Sequence, residues 1–88
     1  MQEAKSEIGD VERAEIEATV AVYVGAGKAW RREDYRIEHQ GPRDEGRRWA
    51  VWAVHAEDEE AAAPGGGKSL ELWIDRKSKR VVKELGFS

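Results

Sequence analysis

The chain has 88 residues, no cysteine, 38% charged and 40% hydrophobic side chains, and a formal net charge of −3. A domain of this size buries a little over ~60% of the surface its unfolded chain exposes, enough for one modest core with little room for an internal active-site cavity. Disulfides, thiolate zinc sites and cysteine nucleophiles are excluded, and the overall charge offers no pull toward nucleic acid or an anionic membrane surface.

Residues 1–9 are polar and aperiodic and are expected to form a flexible tail, with a single α+β domain over residues 10–86. Met1 leads straight into QEAKSE, so no signal peptide is expected within the sequence. If the natural protein is exported, its signal has been removed, which favours a periplasmic or secreted location. Otherwise the protein is cytoplasmic. No apolar run approaches the ~20 residues of a membrane span, so no membrane insertion is expected.

Asp10 is the expected helix N-cap, and the acidic Glu12, Glu15 and Glu17 suit the positive end of a helix dipole. Ile16, Val20, Tyr23 and Val24 recur at helical spacing. The local β preference of TVAVYV makes a strand the rival over 19–24, but the longer periodicity favours helix. Gly25 and Gly27 should end it, with Lys28 at the favourable C-terminal end. Trp30 should fold back beneath the helix.

Tyr35, Ile37 and His39 alternate with Arg36 and Glu38, which predicts a first strand with one buried face. Gly41, Pro42, Asp44 and Gly46 mark a turn. Arg47 to Ala56, RRWAVWAVHA, is apolar on both sides and reads as the central strand. Glu57 to Gly67 is expected to be a long mobile loop, acidic and then rich in alanine and glycine. SLELWID (69–75) alternates cleanly, Arg76 to Lys79 is a polar turn, and Arg80 to Leu85 returns as the last strand. The architecture expected is one N-terminal helix packed across a four-stranded antiparallel meander.

Chemistry is sparse. PGGGKS resembles a phosphate loop only superficially, because the pattern needs a glycine where Ala62 stands and a helix, not a strand, after the lysine. His39 and His55 lie near facing strand ends, where a nearby Glu38 or Glu57 would complete a weak metal set. No metal site and no cofactor are expected. The serines and Thr19 have no elbow or triad context, so the chain is not expected to be an enzyme. The basic run around Arg76, Lys77, Lys79 and Arg80 lacks interleaved aromatics, which argues against nucleic acid.

Four tryptophans in a chain of 88 residues are the better clue, because tryptophan dominates interface energetics. With Leu70, Leu72 and Ile74 facing the helix, Trp73, Glu71 and Asp75 fall on the other face. If Trp49, Val51 and Ala53 also face the helix, Trp52 and Val54 join Trp73 there. An aromatic patch ringed by charges, with Glu71, Arg76 and Lys77 around Trp52 and Trp73, is a partner-binding signature. The competing explanation is that these tryptophans merely cover the sheet edge and the ground beneath the long loop.

The helix ending in YVGAGKAW, the WAV of the central strand, the GG before a strand, and the closing hairpin IDRKSKRVVKEL resemble two related groups. One is the small bacterial immunity proteins with a nuclear-transport-factor-two-like fold. The other is the short PepSY-like and cystatin-like helix-on-sheet domains. The resemblance covers about residues 11 to 85 and rests on loose structural motifs. It departs at Lys79, where such hairpins often carry glycine, and the chain is short for a full cone-shaped fold. The cystatin QxVxG pattern is absent, so thiol-protease inhibition is not implied. What the resemblance implies is a non-catalytic protein-binding module, an immunity or inhibitor protein acting on a toxin or secreted enzyme. Two alternatives stay open: a structural homodimer, and a small-ligand carrier using a helix–sheet pocket near Tyr35, His39 and His55.

Overall fold

The computed structural model describes residues 8–57 and 68–86. One helix, α1 (Asp10–Lys28), is followed by a single turn of 3-10 helix (Arg32–Asp34). Four strands come next, β1 (Tyr35–Arg43), β2 (Arg48–His55), β3 (Leu70–Asp75) and β4 (Arg80–Gly86). They form one antiparallel sheet in the order β1-β2-β3-β4, with α1 against one face. The expected tails (1–7, 87–88) and most of the expected loop, including PGGG, lie outside the described residues.

Ile16, Val20 and Val24, spaced by four, are fully buried and make the helix's contribution to the core. Trp49, Val51, Ala53, Leu70, Leu72 and Ile74 face them from β2 and β3, and Tyr35 closes one end. The β-branched run TVAVYV is therefore helical: burying the stripe at positions 16, 20 and 24 outweighs local strand preference.

The helix ends differ from expectation. Gly9, not Asp10, is the N-cap, and its carbonyl accepts from the Arg13 amide at 2.9 Å. Asp10 and Glu12 lie in the first turn, where carboxylates suit the dipole. Gly25 and Gly27 do not stop the helix. It runs to Lys28 and ends at Ala29, which adopts left-handed φ 60°, while the Trp30 amide reaches back to the Val24 carbonyl at 3.2 Å. Trp30 then packs on Tyr35 and His55, with ring centroids at 5.9 and 4.7 Å.

Gly41 and Pro42 also belong to a strand, not a turn. β1 carries an extra residue between His39 and Gly41, and Gly41 has φ 121°, where a side chain is strained. Proline is tolerated near the end of β1 because β1 is an edge strand. The turn itself is Asp44 to Arg47, with Asp44, Glu45 and Gly46 all at positive φ. In the β3–β4 turn the same left-handed conformation falls on Lys79, φ 59°, the position where a glycine would be easiest.

Two polar clamps fasten the helix to the sheet. The Arg76 guanidinium grips Glu12 with both arms, Nε to Oε2 at 2.8 Å and Nη2 to Oε1 at 2.9 Å. It also donates to the Gly46 carbonyl at 3.2 Å and lies 5.5 Å over the Trp49 ring. The hydrogen bond from Arg76 holds the Glu12 carboxyl below its usual range. In the second clamp Trp49 Nε1 donates to His39 Nδ1 at 3.0 Å, and His39 Nε2 meets Glu17 Oε2 at 2.8 Å. Indole nitrogen only donates, so His39 Nδ1 must carry the lone pair and Nε2 the proton that points at Glu17.

Candidate functional site on the open sheet face

The face of the sheet away from α1 has no second layer among the described residues. Strand alternation and register set its contents. The cross-strand row Glu38, Trp52, Glu71, Leu85 runs next to the row Gly41, Ala50, Trp73, Lys83. A third row is Arg43, Arg48, Asp75, Arg80. Trp52, Trp73 and Glu71 therefore share one face, on adjacent strands.

One carboxylate holds both indoles. Trp52 Nε1 donates to Glu71 Oε1 at 3.0 Å and Trp73 Nε1 donates to Glu71 Oε2 at 2.7 Å. These bonds, the Trp73 bond foremost, lower the Glu71 carboxyl below its ordinary value against the opposing effect of burial, with smaller help from Arg43 and Lys83. Arg43 Nη2 stands 3.9 Å from Glu71, and the Lys83 ammonium lies 4.5 Å over the Trp73 ring. Nearby, Arg36 Nε donates to Glu38 at 2.7 Å. Both tryptophans are half-buried, and Ala50, between their strands' neighbours on the same face, has no exposure at all. The two indoles are thus tied by their Nε1 edges to one carboxylate, with cations at the border.

Arg76, expected at the rim of this patch, is committed to Glu12 and the helix side. Lys77 is exposed in the β3–β4 turn, away from the two tryptophans in register. The border cations are instead Arg43, Arg48 and Lys83. Arg43 lies beyond a bulge in β1, and Lys83 beyond the extra residue Val82 in β4. Simple alternation cannot carry a side-chain assignment across a bulge, which is why sequence reasoning missed both.

Tyr35, His39 and His55 do not gather round a common cavity. Tyr35 and His55 are register partners, each 6% exposed, and pack with Trp30. Burial raises the Tyr35 phenol above its usual value, with Arg32 working against it. His55 Nδ1 accepts the Glu57 amide at 3.1 Å, and the His55 amide donates to Ser69 Oγ at 3.0 Å. His39 pairs in register with Val51, farther along, inside the Glu17–Trp49 chain. Tyr35 and His55 thus pack with Trp30, while His39 sits between Glu17 and Trp49. Among the described residues no group of three or more histidine, aspartate or glutamate side chains is placed to hold a metal ion. No described helix is long and apolar enough to cross a membrane.

No family model matches the chain, and neither a curated protein nor a solved structure does. The open face must be interpreted from its own chemistry.

Proposed function

We propose that the protein is a non-catalytic protein-binding module whose contact surface is the open sheet face, centred on Trp52, Glu71 and Trp73. The observation that carries this reading is the shared carboxylate: two indole edges bonded to one side chain at 3.0 and 2.7 Å. Aromatic anchors dominate binding energetics when they are held in place before contact, because little side-chain entropy remains to be lost. Their rings are half-buried and so keep part of their apolar surface exposed, and Arg43 and Lys83 supply the polar rim of such a patch, Lys83 from over the Trp73 ring. An inhibitor or immunity role toward an enzyme or toxin, as the sequence resemblance implied, is the form of this function we favour.

The test is affinity capture from the native organism with wild type, Trp52→Ser and Trp73→Ser, each checked by circular dichroism. A stoichiometric protein retained by wild type and lost by both folded variants is the expected result. Equal retention by all three would reduce the patch to packing. Loss of a wild-type dimer in the variants, with no other partner captured, would assign the face to self-association instead.

A further inference from the structure

The two edges of the sheet are not alike. β1 is the more guarded edge: Pro42 lacks an N–H, the bulge before Gly41 interrupts the strand, and an Arg36–Glu38 ion pair stands on its regular run from Tyr35 to His39. β4 carries no proline, and most of its residues are exposed, including Val82 at 44% and Leu85 at 40%. Its own extra residue, Val82, leaves a regular run from Lys83 to Gly86.

Alongside β4 lies an open groove of about 410 Å³ between strand and helix, with apolar walls from Ala18, Val22, Tyr23 and Val81 and with Thr19, Lys79 and Arg80 at its β3–β4 turn end. Val22 is 70% exposed, an unusual position for a large aliphatic side chain on a helix. Tyr23 is fixed by donating to Glu84, which also takes Lys28 at 3.1 Å, so the far wall of the groove is tied down. On the other face of the same strand two cations, Arg80 and Lys83, precede Leu85, and Arg80 also borders the groove. Arg80 pairs in register with Asp75 and Lys83 with Trp73, which puts both on the open-face side.

We propose that the β4 edge binds an extended segment of a partner protein as a fifth strand, with apolar residues alternating with acidic ones. Alternate side chains of an added strand point to opposite faces. Apolar ones would enter the groove beside Val22 and Val81, and acidic ones would lie across from Arg80 and Lys83. The same argument disfavours a second copy of this chain. A two-fold axis normal to the sheet keeps the open faces of both copies on one side, and centred between Val81 and Val82 it sets Arg80 of one copy against Lys83 of the other. This edge meets the tryptophan patch at Lys83, which lies over the Trp73 ring, but the inference does not rest on the function proposed above.

The probe is an N-acetylated, C-amidated peptide of four Val-Glu repeats, with four Val-Lys repeats as the control, titrated into 15N-labelled full chain. The expected result is saturable amide shifts in β4 and the outer helix face around Val22. The lysine peptide should bind at least tenfold more weakly. Val22→Glu, a change at an exposed site, should weaken the acidic peptide at least tenfold, and Arg80→Glu with Lys83→Glu should reverse the charge preference. Trp52→Ser should leave the affinity unchanged. No saturable shift in β4, or shifts centred on Trp52 and Trp73, would overturn the proposal. So would a concentration-dependent dimer, by sedimentation, that Val22→Glu or the double charge change dissolves.

Discussion

Glu71 is a short side chain asked to satisfy two indole N–H groups, and Glu71→Ala would leave both without their acceptor. An unsatisfied polar group that is out of water costs about 1–3 kcal/mol, and the half-buried indoles belong near the lower end of that range. We expect a lowered urea midpoint together with a red-shifted tryptophan emission as the rings come loose. His39 supports a second residue-scale prediction. Since Trp49 Nε1 can only donate, the neutral ring must be the Nε2–H tautomer, and the 15N shifts of the two ring nitrogens should report it directly. Trp49→Phe removes the donor, keeps most of the ring volume, and is expected to cost about 1–3 kcal/mol in chemical unfolding. An Nδ1–H signal would remove the basis for this. Trp52, Trp73 and Glu71 could be assigned to one face from the alternation of SLELWID and WAVWAVH alone. That Glu71 bonds both indoles could not, because it depends on the register of β2 against β3.

Whole elements were more legible than their ends. The positions of α1 and the four strands follow from periodicity, since burial of one stripe or one face is a property of many residues together. Ends depend on single residues in competition. Gly25 and Gly27 look like stop signals, yet both are inside α1 and the left-handed residue is Ala29. The chain tolerates glycine there because Val24 and the returning Trp30 hold the last turn from the core side. A Cβ at Gly27 would meet no atom within 4 Å, and one at Gly25 would meet only the Trp30 carbonyl at 3.9 Å. Each glycine in a helix interior costs roughly 0.5–1 kcal/mol relative to alanine. Gly27→Ala should therefore raise the thermal midpoint, and so should Gly25→Ala; a fall in both would mean that α1 ends before Gly25 in solution. Gly41 behaves oppositely. Its φ of 121° is one that alanine rarely adopts, so Gly41→Ala should lower stability by at least about 1 kcal/mol despite open space at the site.

For the whole molecule, three carboxylates tie separate parts of the fold together. Glu12 is lowered by Arg76 and joins the helix start to the β3–β4 turn. Glu84 is lowered by Tyr23 and then Lys28, joining β4 to the helix end, and Glu71 is lowered chiefly by Trp73. A carboxyl whose folded value is depressed adds stability that is fully present above its unfolded value, near 4.5 for glutamate, and is lost as pH falls through the lower folded value. The protein should therefore lose stability on acidification below 4.5, and Glu12→Gln should flatten that slope while lowering stability at neutral pH. Two surfaces meet at Lys83: an aromatic patch on the open face, and an edge with a groove at β4. The first is the centre of the account. The most direct test is calorimetric titration of the captured partner into wild type, Trp73→Ser and Val22→Glu. A central aromatic anchor is expected to contribute about 2 kcal/mol or more, so Trp73→Ser should weaken binding roughly thirtyfold while Val22→Glu leaves it unchanged. Unchanged binding by folded Trp73→Ser, with loss in Val22→Glu, would contradict the account and move the functional surface to the β4 edge.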